Sequence, residues 1–220
     1  MMQANIINAA VTALENNEIV AIPTETVYGL AGNAYSETAV EKIFALKNRP
    51  HFNPLIVHIK SAGYLEQVAK NIPVVAVELA DTFWPGPLTL VLEKQDRIPD
   101  LVTGGKNTVG VRVPNHPVAL ELLEQLDFPL AAPSANPFGY VSPTTAAHVF
   151  DQLSAKIDYI LDGGNCTVGL ESTIISFMDE ENPCILRLGG ITKDEIEAII
   201  GEVTENIHQL LGYFFCQNGF

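Results

Sequence analysis

The sequence has little positive charge. Only 12 Lys and Arg residues stand against 26 Asp and Glu among 220 residues, which gives a formal net charge of -14. Affinity for duplex nucleic acid comes mainly from many contacts between Lys or Arg and the phosphates. The composition therefore argues against a broad nucleic-acid-binding surface, and any anion that the protein binds should be small and locally held.

Cysteine is equally scarce. Cys166, Cys184 and Cys216 are odd in number and form no CxxC pair, so neither a disulfide framework nor a zinc ribbon is indicated. The five histidines show no metal-ligand spacing such as HExxH, and we predict no metal site built by protein side chains. A reducing cytoplasm is the expected compartment.

Long hydrophobic runs are also missing. No segment reaches the roughly 20 apolar residues that a membrane-spanning helix needs, and Met1 to Val20 lack the basic and apolar regions of a signal peptide. We expect a cytoplasmic protein without a membrane partner. The hydrophobic content of 47% is sufficient for one globular domain with a full core.

Helical and strand patterns alternate along the chain, which predicts an α/β fold. Ser36 is a predicted N-cap for a helix that ends before Pro50, and a hairpin-like pair between Leu88 and Val113 favours a mixed, twisted sheet. The expected helices are Ile6–Leu14, Glu37–Lys47, Val74–Phe83, Pro117–Gln125, Thr145–Leu153 and Lys193–Ile200. The expected strands are Glu18–Ile22, Leu55–Ile59, Leu88–Leu92, Val109–Val113, Pro129–Ala132, Tyr159–Leu161, Ser172–Ser176 and Ile185–Arg187.

Two cations close together stand out in so acidic a chain. Lys47 lies on the apolar stripe of its own helix, and Arg49 follows at the helix C-terminus. A snorkelling lysine and an arginine that favours the helix dipole would explain each residue separately. The pair together is better explained by a pocket for an anion.

Other polar residues fall where strands begin or end. Thr24 to Tyr28 follow the first strand, either as a turn or as a binding loop. Arg112 shares a strand face with Gly110, which suits either an exposed position or a contact with a carboxylate or phosphate. His58 on its strand is more often a packed, hydrogen-bonded residue than a catalyst.

Two apparent motifs do not hold. Thr103 to Thr108 look like part of a P-loop, but Asn107 follows the lysine and the glycine spacing fails, so Lys106 is interpreted as a loop residue. Ser134 is not in a G-x-S-x-G elbow and has no base nearby, so its hydroxyl is better suited to donating a hydrogen bond than to attacking a substrate.

Several short motifs follow one another along the chain. They are Pro23–Leu30, Lys47-x-Arg49, Asn53–Leu55, Phe83–Thr89, Val111–Pro114, Ser134-x-Asn136 and Gly169–Thr173. Together they resemble the YrdC/Sua5 family of threonylcarbamoyl-AMP synthases over roughly residues 5–200. The resemblance implies a YrdC-like α/β domain with a twisted mixed sheet around a large concave pocket.

The resemblance also implies a nucleotidyltransferase in tRNA modification. Such an enzyme joins L-threonine, bicarbonate and ATP into L-threonylcarbamoyl-AMP and releases pyrophosphate. A separate transferase complex then passes the group to adenosine 37 of ANN-decoding tRNAs, so tRNA binding by this chain would be weak or indirect. Mg2+ is the expected cofactor and would enter with ATP, since it rarely requires an all-protein cage.

Site residues are carried over from the same resemblance. Lys47 and Arg49 would be catalytic and face the triphosphate. The implied ATP-binding residues are Lys47, Arg49, Asn53, Thr108, Ser134, Asn136, Ser142 and Arg187. The implied L-threonine-binding residues are Thr26, Tyr28, His58, Arg112, Ala132 and Ser172, with Arg112 suited to the substrate carboxylate.

The resemblance ends near the C-terminus. We expect a catalytic domain over residues 1–203 and a tail over residues 204–220, which would be a remnant of the linker that leads longer family members into a second domain. Two alternatives stay open: a carbamoyl-adenylate-forming domain related to hydrogenase maturation, and an RNA-binding module without catalysis.

Overall fold

A computed structural model describes residues 2–153, 156–179 and 182–206. The α-helices are α1 Met2–Glu15, α2 Glu37–Lys47, α3 Val74–Phe83, α4 Asp100–Thr103, α5 Pro117–Glu124, α6 Ala146–Leu153 and α7 Lys193–Ile200, with a 3-10 helix at Ala62–Gln67. The strands are β1 Val20–Ile22, β2 Gly29–Asn33, β3 Ile56–His58, β4 Ala69–Lys70, β5 Leu88–Lys94, β6 Thr108–Arg112, β7 Leu130–Ala131, β8 Tyr159–Ile160, β9 Thr173–Ser176, β10 Cys184–Arg187 and β11 Thr204–Glu205. None of the helices in these ranges is long and apolar enough to cross a membrane.

The strands form one mixed sheet in the order β11-β10-β9-β5-β6-β3-β7-β2-β1-β8, with β4 paired to the end of β5. The predicted hairpin-like pair is β5 with β6, which run antiparallel with Leu92 opposite Val109. Beside it β6 runs parallel to β3, and His58 lies opposite Arg112. The prediction of a twisted mixed sheet with flanking helices is confirmed.

Apolar residues alternate between the two faces of the sheet. In β6, Val109 and Val111 belong to the largest buried cluster, which also holds the apolar stripes of α2 and α3. A second buried cluster joins α1 and α5 to Val20 and Ile22 of β1 on the other face. Gly110 and Arg112 point to this second face, because neighbouring strand residues point to opposite sides.

Helix α2 begins and ends where its sequence predicts. Ser36 accepts a hydrogen bond from the backbone N–H of Ala39 at 3.3 Å, as an N-cap does. Asn48 adopts a left-handed conformation with φ 52° and ends the helix, so the chain turns before it reaches Pro50. The turn carries Arg49 away from the helix axis toward Asn53 and Pro54.

Several short elements were not predicted. The sequence placed the residues after β1 in a loop, but Gly29–Asn33 form β2 and pair with β1 and β7. The signal was weak because two of its five residues are glycines. The 3-10 helix and the short elements β4, α4 and β11 were also missed. Thr204–Glu205 pair with β10, so the first residues of the predicted tail join the sheet, and residues 207–220 lie outside the described residues.

Candidate functional site

A cavity of about 230 Å3 lies on the second face of the sheet. Ile56 and His58 of β3 and Arg112 of β6 form part of its floor, and its mouth includes Phe138 and Tyr140. Most of the residues that the sequence singled out meet here, although they come from distant parts of the chain. The predicted residues on the lining are Thr26, Lys47, Arg49, His58, Arg112, Ala132, Ser134, Asn136, Ser142, Ser172 and Arg187.

Lys47 is only 1% exposed, so the interpretation as a snorkelling lysine is wrong. Its Nζ donates hydrogen bonds to the backbone carbonyl oxygens of Ser134 and Asn136, and its own carbonyl accepts one from Phe138 N at 2.9 Å. Burial, and then the nearby charge of Arg49, lower the pKa of Lys47 to about 7. The helix end and residues 134–138 thus hold an ammonium group at the cavity wall.

Arg49 and Arg187 add two guanidinium groups to the same cavity. Arg49 donates to the carbonyl oxygens of Asn53 at 3.3 Å and Pro54 at 3.0 Å. Burial, and then the charge of Arg187, lower the pKa of Arg49 to about 10. Burial also lowers the pKa of Arg187 to about 10, with Glu171 opposing the shift and Arg112 adding to it. Cations that disfavour one another's charge in one cavity are typical of an anion site.

Arg112 is buried, so the alternative of a solvent-facing strand residue is wrong. Its Nε donates to Gly86 O at 3.2 Å and its Nη1 to Thr26 Oγ1 at 2.9 Å. Its Nη2 lies 2.6 Å from Glu25 Oε1, and both side chains are 5% exposed. This contact is a buried ion pair. A guanidinium carries five N–H groups, so the contacts with Gly86, Thr26 and Glu25 leave N–H groups of Arg112 available.

The loop after β1 is both a turn and part of the cavity. Thr24 Oγ1 accepts hydrogen bonds from the backbone N–H groups of Thr26 and Val27 and donates to Val27 O at 2.7 Å. Thr24 and Thr26 hydroxyls are 2.9 Å apart. Because the Thr24 hydrogen is used on Val27, Thr26 is the donor in this pair. The Thr26 hydroxyl can therefore only accept further hydrogen bonds, which suits an amine.

His58 is fully buried in the floor of the cavity. Burial, and then the charge of Arg112, lower the pKa of His58 to about 3. The imidazole is therefore neutral at physiological pH. Its Nδ1 has no hydrogen-bond partner among the residues described, and His58 lies opposite Arg112 in the sheet register.

Two serines form hydrogen bonds along the far wall of the cavity, which includes Glu171 and Arg187. Ser142 Oγ donates to Glu171 Oε1 at 2.7 Å. Ser172 Oγ lies 2.8 Å from Thr89 Oγ1 and accepts from Arg187 Nη2 at 3.1 Å. The backbone at Gly189 lies directly against the backbone of Glu171. Only glycine fits there, because a methyl group would overlap the carbonyl oxygen of Glu171.

Three predicted residues lie off the cavity lining. Asn53 is buried beside Pro54, and neither atom of its side-chain amide has a partner in the described part of the chain. Thr108 is buried at the start of β6, opposite Glu93. Tyr28 turns its hydroxyl away from the cavity and donates to Gly164 O at 2.8 Å.

The sequence reasoning missed two carboxylates. It treated Glu25 only as part of a loop, whereas Glu25 forms the ion pair with Arg112. It also named Glu171 only within a motif, whereas Glu171 lines the cavity and contacts Ser142. A signal for Glu25 was its place between two threonines directly after a buried strand, where a lone acid needs a partner.

The protein side of the cavity offers little to a metal ion. Within the described residues, no three His, Cys, Asp or Glu side chains come together as metal ligands. Of the lining residues, Glu171 carries the carboxylate, and it lies beside Ser142. This donor set fits a Mg2+ ion that arrives on phosphate oxygens and not one held by a protein cage.

Comparisons with known proteins find related sequences and structures. The family model for the Sua5/YciO/YrdC domain, which carries the description "Telomere recombination", matches residues 12–189. The chain is 51% identical over 197 residues to the threonylcarbamoyl-AMP synthase of Pyrococcus abyssi, which is 90% of this chain and 58% of that protein. It is 49% identical over 195 residues to the threonylcarbamoyl-AMP synthase of Bacillus subtilis, covering 88% of this chain and 56% of that protein.

A solved structure extends the likeness to three dimensions. The crystal structure of P. abyssi Sua5 complexed with L-threonine superposes with a TM-score of 0.88 at 50% identity and covers 91% of this chain and 58% of that chain. The chain spans a little more than half the length of these curated relatives.

Proposed function

The chain belongs to the Sua5/YciO/YrdC family, and on this premise we propose that it is a nucleotidyltransferase that makes L-threonylcarbamoyl-AMP. The substrates would be L-threonine, bicarbonate and ATP, and pyrophosphate would be released. The product would serve the threonylcarbamoyl modification of adenosine 37 in ANN-decoding tRNAs.

One observation carries this proposal. Lys47, Arg49, Arg187 and Arg112 converge on one cavity in a chain of net charge -14, and each of the first three has its pKa lowered partly by a neighbouring cation. A site of this kind binds a polyanion in preference to a neutral ligand. The P. abyssi and B. subtilis relatives bear the name threonylcarbamoyl-AMP synthase, which supports ATP as the polyanion.

The residues fall on two sides of the cavity, and each side would bind a different substrate. Lys47 and Arg49 would hold the phosphates and stabilise charge that develops on the α-phosphate as pyrophosphate departs. Ser134, Asn136, Ser142 and Arg187 would complete the nucleotide site, and the buried amide of Asn53 and the hydroxyl of Thr108 would lie behind it. This side of the cavity provides positioning and electrostatic stabilisation, not a nucleophile.

The other side suits an amino acid. Arg112 would bind the carboxylate of L-threonine with its remaining N–H groups, and Thr26 would accept a hydrogen bond from the amine. His58, Ala132 and Ser172 would surround the side chain, with Tyr28 supporting the loop from behind. The carbamate formed from the amine and bicarbonate would then face the α-phosphate of ATP.

Mg2+ would enter with ATP and be held mainly by phosphate oxygens. When bound, it would neutralise charge on the triphosphate and on the leaving pyrophosphate. Of the lining residues, Glu171 would supply a carboxylate oxygen to the ion or to its water shell.

The charge of the chain also bears on its partners. The acidic surface does not favour tRNA, so the product would pass to a separate transferase complex in the cytoplasm. Tight, salt-dependent binding of tRNA in a filter assay would contradict this part of the proposal and would favour the RNA-binding alternative.

The proposal is tested with purified protein, ATP, Mg2+ and bicarbonate, with and without L-threonine. Pyrophosphate and nucleotide products are measured by mass spectrometry. We expect threonylcarbamoyl-AMP and an equal amount of pyrophosphate only when L-threonine is present. A parallel reaction contains carbamoyl phosphate in place of L-threonine and bicarbonate. An adenylate that forms only in that reaction would favour the carbamoyl-adenylate alternative, and no adenylate in any reaction would contradict both.

A further inference from the structure

Glu25 lies behind Arg112, off the lining of the cavity. One carboxylate oxygen pairs with Arg112 Nη2 at 2.6 Å, and the other accepts a hydrogen bond from Asn115 N at 2.9 Å. Both oxygens thus face N–H donors. The carboxylate is fixed, and it cancels the charge of Arg112 without occupying the space in front of it.

Lys47 and Arg49 are held differently. Both donate to backbone carbonyl oxygens, which fix a cation but do not cancel its charge. Among the described residues, neither forms an ion pair with a carboxylate within 4.0 Å. The net positive charge of the cavity is therefore concentrated on the Lys47 side and reduced on the Arg112 side.

Arg112 keeps donor capacity despite this cancellation. Its contacts with Gly86, Thr26 and Glu25 use part of the guanidinium, which has five N–H groups in all. His58 Nδ1 is a buried polar atom without a hydrogen-bond partner among the described residues. The Arg112 side can thus form directed hydrogen bonds to a carboxylate but offers little net attraction to an anion.

We propose that Glu25 sets the ligand selectivity of the Arg112 side, so that this side accepts a zwitterionic amino acid and rejects phosphate groups. A zwitterion carries no net charge and suits a neutral ion-paired site. A phosphate would bring about two negative charges close to the buried carboxylate, where like charges repel strongly. Glu25 would thereby keep the triphosphate on the Lys47 side. This role rests on the proposed function and deepens it.

The test replaces Glu25 by Gln, which removes the charge at nearly constant volume. Isothermal titration calorimetry measures the binding of L-threonine and its displacement by inorganic phosphate. In Glu25→Gln, we expect the dissociation constant of phosphate, measured as a competitor of L-threonine, to fall about tenfold or more, because Arg112 is no longer neutralised. L-threonine itself should bind equally or more weakly.

A change in the ratio of the two affinities distinguishes selectivity from support of the fold. A structural role alone would weaken both ligands together, and that result, or an unchanged ratio of the two affinities, would overturn the role of Glu25. Glu25→Asp keeps the charge and both acceptor oxygens and should retain the ratio. Glu171→Gln removes one charge from the same cavity on the Ser142 side, and an equal change of ratio there would also overturn the proposal.

The unaltered protein offers a second test if Glu25→Gln does not fold. Phosphate should compete with ATP and not with L-threonine, and competition with L-threonine would contradict the proposal. Failure of the unaltered protein to bind L-threonine would overturn the proposed function itself. An unchanged ratio in a protein that does bind L-threonine would overturn only the role of Glu25.

Discussion

On the side of the cavity formed by α2 and residues 134–138, the cations are fixed by neutral carbonyl oxygens. On the side formed by β3, β6 and the loop after β1, the cation is fixed by a carboxylate. Lys47 represents the first arrangement, and the Arg112–Glu25 pair represents the second. Two cations of equal formal charge can therefore present different net charge to a ligand, and the difference lies in the groups behind them.

The largest effect is expected from a substitution on the Lys47 side of the cavity. Lys47→Met removes the ammonium group but keeps an unbranched side chain, and we expect kcat to fall about 10²- to 10³-fold because charge on the phosphates loses a fixed donor. Thermal stability should change little, since relief of the buried charge offsets the lost hydrogen bonds to Ser134 and Asn136. Steady-state kinetics and thermal unfolding measure the two effects.

Lys42→Met is the matched control on the same helix. Lys42 pairs with Glu18 at the surface, 2.8 Å away, and its loss should leave turnover unchanged. A large fall in melting temperature for Lys47→Met, with kcat in proportion to the folded fraction, would instead assign Lys47 to the helix end alone.

The next largest effect is expected from a substitution on the Arg112 side of the cavity. Arg112→Lys keeps the charge but loses the planar fork, so we expect the KM for L-threonine to rise about 10- to 100-fold. The KM for ATP should stay within a factor of about two if the two sides act independently. Equal increases in both KM values would contradict the division of the cavity.

The two sides should also differ in their dependence on pH. The pKa of His58 is lowered to about 3 from its ordinary 6.5, so the unfolded chain binds more protons than the folded one between these values. Stability should therefore be lost as pH falls from 6.5 toward 3, by up to a few kcal/mol. Urea unfolding at several pH values measures the loss, and His58→Gln should flatten the curve. An unaltered curve in this variant would exclude His58 as its source.

Lys47 should instead respond at higher pH, through ligand binding. Its pKa is lowered to about 7 from an ordinary 10.5, and a bound triphosphate would raise it again. ATP binding at pH 8 should then take up a proton, with an uptake approaching about one per site. Calorimetry in buffers of different ionisation enthalpy measures it. Lys47→Met should show no uptake from this group, and equal uptake in the variant would point to another residue.

The smallest effect concerns the far wall. Ser142→Ala removes the hydrogen bond to Glu171 at a partly exposed site, where the loss should cost about 1 kcal/mol or less. We expect a change in melting temperature of a few degrees at most. A modest rise in the KM for ATP with no change for L-threonine would place Ser142 on the Lys47 side, whereas the reverse would move it to the other.

The parts of this picture that local sequence determines were predictable. Ser36, the apolar stripe of α2 and the stop before Pro50 act within a few residues of one another, and the bounds of α2 agree with the prediction. Strand β2 was missed because its two glycines carry no side-chain pattern, and its pairing with β7 comes from distant chain. The order of the motifs was sufficient to identify the family.

The electrostatics of the site could not be predicted in the same way. Arg112 and Thr26 are 86 positions apart, and no local pattern connects Glu25 to Asn115 and Arg112. Whether Arg112 faced solvent or a cavity depended on which face of β6 was covered. The ligand roles of all the site residues stay predictions, and Asn53, Thr108 and Tyr28 lie behind the lining.

The contact between Lys47 and Ser134 joins positions 87 residues apart. Strands β3, β6 and β7 all lie between these two positions in sequence. Contacts of such long range form slowly, after the local ones. The Lys47 side should therefore be completed late in folding, when the centre of the sheet is already assembled. A newly synthesised chain would gain its anion site as a final step, and a bound anion would mark a chain whose folding is finished.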